Sequence, residues 1–184
     1  VTDDTFDWAN YEKNLTAVET FFAANSGKSC TMLMAPSPAG VLGECLPKNA
    51  PYYDEDKAFS LLTDKLGGTL ADARTALAGV EDPYYHTDHH WTTLGAYYAY
   101  QQFCETLGLT PFDRDAHTAE TCEDFYGTHY SKARTWNAEP DTITWYDLQN
   151  SLTVWNVTGP GQPTEGTTTG LYDLDKLRVY DKYA

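Results

Sequence analysis

A layered α/β domain is the fold class the sequence predicts, and three observations predict it. Apolar residues recur at helical spacing in three segments, a short apolar run of strand character stands between the first two, and the order is helix, strand, helix, helix. The 184 residues suffice for one domain with a real core, because a chain of this length buries roughly two-thirds of its unfolded surface. With 41% hydrophobic and 21% charged residues the composition is globular and not that of a disordered chain. A single domain over residues 1–184 is therefore expected.

The first helix is expected over Trp8–Ala24, where Trp8, Tyr11, Leu15, Val18, Phe21 and Phe22 share the helical period and Asp4 or Thr5 stands upstream as a cap. Asn25, Ser26 and Gly27 stop it. Cys30–Ala35 reads as a buried strand that runs into the loop Pro36-Ser37-Pro38. Residues 56–66 form the second helix, with Ala58, Phe59, Leu62 and Leu66 on one side and Gly67-Gly68 at its end. Residues 69–77 fit either a short strand or a helical turn. The third helix follows Thr92 or Thr93 as cap, carries Leu94, Tyr97, Tyr98, Gln101, Phe103 and Leu107, and ends at Gly108. Beyond Pro111 the pattern weakens. Residues 141–146 and 151–157 both alternate, so an antiparallel pair joined by a turn at 147–150 is expected, followed by a Gly/Pro/Thr-rich loop over 159–170.

Charge excludes some partners. Twelve Lys+Arg against 27 Asp+Glu leave a net charge of -15, which repels phosphate backbones and anionic lipid, so nucleic acid is not an expected partner. No apolar run approaches the length of a membrane span, so no membrane insertion is expected. The four cysteines contain no C-x-x-C. Local disulfides Cys30–Cys45 and Cys104–Cys122 are the preferred pairing and imply an oxidising compartment; four buried free thiols are the alternative.

The densest chemistry is Tyr84-Tyr85-His86-Thr87-Asp88-His89-His90-Trp91. In an extended stretch His86, Asp88 and His90 share one face, with neighbours on that face roughly 6.6 Å apart at Cα. Asp88 would then bond His90, fix its tautomer and leave its far nitrogen as a general base. The same three residues offer two nitrogens and a carboxylate to a metal, although the H-x-H-x-D-H spacing of metallo-hydrolases fails because Tyr84 stands in place of its first histidine. A polar turn whose histidines satisfy backbone groups is the third reading. Residue types alone leave all three open.

The stretch from Tyr84 through His86-Thr87-Asp88-His89-His90-Trp91-Thr92-Thr93-Leu94-Gly95 to Tyr97 resembles the signature of the DHHW family, secreted bacterial proteins named for the tetrad at Asp88–Trp91. More distantly it is similar to the Asp-x-His-Trp motif of alginate O-acetyltransferase-like enzymes, whose domain is of the SGNH-hydrolase type. Met34-Ala35-Pro36-Ser37, Leu46-Pro47, Gly127-Thr128 and Tyr130-Ser131-Lys132 are similar to further landmarks of the family and come in the same order. The resemblance implies an SGNH-like sheet with flanking helices. It also implies Asp88 as orienting acid, His90 as base, Trp91 packed beside them, and His86 and His89 in support.

In the acetyltransferase-like relatives the serine follows a strand C-terminal to the Asp-x-His motif, in a Gly-Asp-Ser or similar turn. This chain has no such turn. Its later serines are Ser131, inside the Tyr130-Ser131-Lys132 landmark, and Ser151, at the start of a strand-like run; Ser37 follows a strand but precedes the motif. The expectation is therefore a fragment whose nucleophile and last central strand lie beyond Ala184, and no hydrolase activity from these residues alone. In complete form, the expected protein is a secreted or surface-displayed bacterial O-acyl transferase or esterase acting on carbohydrate hydroxyls without a metal or other cofactor. The rival is a non-catalytic glycan-binding domain that uses Trp136, Trp145 and Trp155, although tryptophans on alternating strands more often pack inward. His117 and His129 read as ordinary surface or capping histidines.

Overall fold

The computed structural model describes residues 2–146 together with the backbone of residues 152–153 and 168–169. The chain forms two compact units. The first comprises the residues up to Pro83 with Leu94–Phe112, and the second Tyr84–Thr93 with the chain from Asp113 onward.

In the first unit, helix α1 (Trp8–Ala24) is capped by Asp7, whose carboxylate accepts from the Asn10 N–H at 2.9 Å. The cap lies downstream of the expected Asp4 or Thr5 because Asp3–Thr5 form a 3-10 turn of their own, closed by Thr2 and Thr5. Strand β1 is Met32–Met34, and the four-residue helix α2 is Pro38–Val41, with Ser37 as its N-cap. Helix α3 (Glu55–Leu66) starts on Asp54 and stops at Gly67, whose positive φ of 53° favours a residue without Cβ. Leu15 of α1 packs against Leu62 and Leu66 of α3, and Tyr11, Val18, Phe22, Met32 and Met34 close around them. The ambiguous stretch 69–77 contains both alternatives in succession. Strand β2 (Leu70–Asp72) pairs parallel with β1, then Asp72 caps helix α4 (Ala73–Leu77). Helix α5 runs Thr93–Leu107 and ends before Gly108, at φ 67°.

The second unit is built on strand β3 (Ala119–Phe125), antiparallel to β4 (Asp141–Tyr146), with a register shift between Cys122 and Phe125. Cys122, Phe125, Ile143 and Trp145 form its core, and Tyr85 meets Phe125 edge-on at 5.4 Å. Helix α6 (Thr128–Ala133) follows β3. The expected pairing of 141–146 with 151–157 is corrected here. Strand β4 takes β3 as its partner, whereas the backbone of β5 (Leu152–Thr153) pairs with β6 (Thr168–Thr169), inside the segment expected to be loop. Alternation marks a strand but not its neighbour, and β3 escapes notice because only Cys122 and Phe125 of its seven residues are buried. The turn at 147–150, the rest of 151–157 and the stretch 172–184 lie outside the described residues.

The secondary structure is thus mixed α/β with small sheets; each sheet among the described residues has two strands. The expected disulfides are not formed, and all four cysteines are free. Cys104 on α5 and Cys122 on β3 are buried and serve as small apolar packing groups, whereas Cys45 is exposed. No helix among the described residues is long and apolar enough to cross a membrane.

Candidate active site

The signature stretch is not extended. Tyr84 and Trp91 form an antiparallel bridge, and the Tyr85 N–H donates to the His90 carbonyl at 3.2 Å, so residues 85–90 close into a loop. A loop this tight abandons the two-residue alternation on which the shared face of His86, Asp88 and His90 depends. Asp88 and His90 nevertheless meet, because the turn returns the chain on itself. Asp88 Oδ1 accepts from the His90 N–H at 2.9 Å and from His90 Nδ1 at 2.5 Å. His86 leaves the pair. Its side chain is 74% exposed, with Nδ1 3.9 Å from Asp141. His89 takes the place expected for His86, with its ring 3.9 Å from that of His90 and its Nδ1 3.7 Å from Asp88 Oδ1. Trp91 is half-buried, and its backbone closes the loop.

Helix α6 supplies the other half of the site. The N–H groups that open a helix have no partner within it. Here Thr87 and Asp88 accept all those from Gly127 to Tyr130. Gly127 N–H bonds Thr87 Oγ1 at 3.0 Å, Thr128 N–H bonds Asp88 Oδ2 at 2.8 Å, and His129 and Tyr130 N–H bond the Thr87 carbonyl at 2.9 and 3.1 Å. The approach is close enough to require glycine at 127, since a Cβ there would overlap both the Cβ and the carboxylate of Asp88. From the opposite side Asp141, the first residue of β4, accepts from the His86 and Thr87 N–H groups at 2.8 Å each and from the Thr87 hydroxyl at 2.5 Å.

These contacts define the electrostatics. The Asp88 side chain is fully buried, and burial by itself would raise its carboxyl above the ordinary 3.8. Hydrogen bonds from the Thr128 N–H, the His90 N–H, the His90 ring and the Thr128 hydroxyl overcome that and bring it down to about 2. Asp88 is therefore a charged acceptor whose two oxygens each receive two donors. His90 is half exposed. A buried anion thus holds Nδ1–H of an imidazole that faces solvent, an arrangement able to accept a proton at Nε2 and stabilise the resulting cation.

The metal set of His86, Asp88 and His90, one of the three readings the sequence leaves open, is not gathered. Asp88, His89 and His90 do have ligand atoms within 4.8 Å of one another. They fit an ion poorly as they stand, since both Asp88 oxygens are already committed. Two imidazoles on one tetrahedral ion, at metal–nitrogen distances of about 2 Å, would also hold their ring centres roughly 5 Å apart rather than at stacking distance.

Of the serines weighed from the sequence, neither Ser37 nor Ser131 is placed as a nucleophile. Ser131 Oγ donates to the Thr128 carbonyl at 2.9 Å. Ser37 lies in the first unit, whose sequence contains no histidine, and its hydroxyl donates to buried Glu55 at 3.0 Å. Trp145 is in the core, Trp136 is 97% exposed, and Trp155 is outside the described residues. Sequence reasoning gave no role to Thr87, although it stands inside the signature, and missed Asp141, which carries no motif. Gly127-Thr128 was visible as a landmark, but without a role.

No curated protein matches the chain. Residues 76–157 match the family model described as DHHW protein. Among solved structures the chain is similar to a DHHW family protein from Eubacterium siraeum DSM 15702, at 29% identity and a TM-score of 0.58. The match covers 73% of this chain and 47% of that one, so the chain spans about half the length of that relative. Both comparisons name DHHW proteins as what the chain is similar to, and residues 76–157 contain the Asp88–Trp91 tetrad and the strand and helix that hold it.

Proposed function

We propose that Asp88 and His90 are the orienting acid and the general base of an acyl-ester transfer or hydrolysis site whose serine lies outside the described residues. One observation carries the reading: the 2.5 Å bond between a fully buried, fully hydrogen-bonded carboxylate and a half-exposed imidazole. In the proposed step the serine hydroxyl gives its proton to His90 Nε2 as its oxygen attacks the acyl carbonyl. The imidazolium, held at Nδ1 by Asp88, then returns the proton to the leaving alcohol. The resemblance of the tetrad to the Asp-x-His-Trp motif favours O-acyl chemistry on carbohydrate hydroxyls, in an SGNH-like layered domain that is secreted or surface-bound.

The test uses full-length protein and p-nitrophenyl acetate. Hydrolysis is expected to fall about a hundredfold or more in both His90→Ala and Asp88→Asn, with unchanged folding by circular dichroism. A fluorophosphonate probe is expected to label one serine outside the described residues. Hydrolysis indifferent to both substitutions would overturn the proposal. The exposed Trp136 favours a second reading, a glycan-binding domain. Retention on a glycan array that is lost in Trp136→Ala and kept in His90→Ala would select it.

A further inference from the structure

We infer that Asp141 is a positioning residue for the Asp88–His90 pair, acting through Thr87 on the first turn of α6, which supplies half of the donors to Asp88. The inference rests on the proposed role of that pair and gives a part to a residue whose own hydrogen bonds go to neither member of it.

The Asp141 side chain is only 9% exposed and accepts three donors, the His86 N–H at Oδ1 and the N–H and hydroxyl of Thr87 at Oδ2. A carboxylate so nearly buried is costly unless its lone pairs are filled, so the charge and its three donors hold each other in place. The Thr87 hydroxyl has one proton and two acceptors in reach, Asp141 Oδ2 at 2.5 Å and the Phe125 carbonyl at 3.4 Å. The nearer, charged acceptor takes it. The lone pairs of Thr87 Oγ1 then face the Gly127 N–H, 3.0 Å away.

Thr87 in turn carries α6. Its hydroxyl and carbonyl accept three of the four N–H groups from Gly127 to Tyr130, and the fourth, that of Thr128, goes to Asp88. Thr128 also reaches Asp88 Oδ2 with its hydroxyl. The place of Thr128 against Asp88 is therefore set by a turn that Thr87 anchors and Asp141 aims. Hydrogen bonds to a carboxylate make it less basic, so donors withdrawn from Oδ2 would leave Asp88 drawing harder on His90 Nδ1–H at Oδ1. Asparagine at 141 keeps the shape and breaks the pattern. Its single oxygen cannot serve both His86 and Thr87, and its amide NH2 must meet one set of donors.

The experiment needs no turnover, so its failure is separable from failure of the acyl-transfer reading. In full-length protein at neutral pH, the amides of Gly127, Thr128, His129 and Tyr130 should exchange slowly with solvent. Asp141→Asn should speed all four about tenfold, the effect of one lost hydrogen bond, including Thr128, whose own acceptor is untouched. The amides of the β3–β4 ladder should keep their protection. The His90 Nδ1 proton, carried downfield by its short bond to Asp88, should move further downfield in the same variant, whereas loss of the Asp141 charge or of packing alone would send it upfield. Thr87→Val should reproduce both effects with Asp141 intact, and Thr87→Ser should show neither. An unchanged exchange rate at Thr128, a His90 proton that stays or moves upfield, protection lost along the whole ladder, or like behaviour of Thr87→Val and Thr87→Ser would overturn the inference.

Discussion

Replacing Asp88 by asparagine tests the site's electrostatics apart from any activity. Asparagine preserves size but cannot be a charged acceptor for the four donors that meet there. Folding lowers the Asp88 carboxyl from the ordinary 3.8 to about 2. At about 1.4 kcal/mol per unit, ionisation of this buried group contributes about 2 kcal/mol. The sign follows from the direction. A carboxyl depressed by folding stabilises the native state above its unfolded value, and that stabilisation is lost as pH falls from about 4 through 2. Urea unfolding of wild type and Asp88→Asn between pH 6 and pH 2 is the assay. The other carboxylates cancel in the difference between the two proteins. The wild-type advantage should stay constant down to about pH 4 and shrink by about 2 kcal/mol by pH 2. An advantage that does not change over that range would refute the claim that hydrogen bonds outweigh burial at Asp88.

Further outcomes follow from the same contacts. Gly127→Ala forces a Cβ into Asp88 and should cost about 1–3 kcal/mol in urea unfolding, whereas Gly27→Ala, with open space around it, should lie within about 0.5 kcal/mol of wild type. Thr87→Val keeps the shape but removes the hydroxyl between Asp141 and the Gly127 N–H; it should destabilise by about 1–3 kcal/mol and Thr87→Ser by clearly less, as thermal unfolding will show. Thiol titration should find Cys45 reactive in the native protein, Cys104 and Cys122 protected, and four thiols in unreduced denatured material; fewer than four would restore a disulfide. Phe59→Ala empties a fully buried position and removes the ring under Arg74, at a cost of about 3–5 kcal/mol by urea unfolding.

The local rules of the chain were legible without coordinates. Periodicity placed α1, α3 and α5, and Gly67 and Gly108 mark where two of them stop, because helix spacing and left-handed caps are properties of a few neighbouring residues. The one-residue spacing of Asp88 and His90 likewise brought them to attention. The contact between them was anticipated, but on a geometry the chain does not adopt. An extended segment would have grouped His86 with the pair, whereas the closed loop sends His86 to Asp141 and brings in His89.

Half of the donors that make Asp88 a buried anion come from distant sequence, the N–H and hydroxyl of Thr128 at the start of α6 forty residues on. The other two belong to His90, while Asp141 holds the neighbouring backbone from further still. The choice of β3 as partner for β4 and the free state of the cysteines belong to the same class. A residue's period and cap preference are written within a turn or two of itself. Which donors fill its lone pairs, and whether water reaches it, depends on what the folded chain sets beside it.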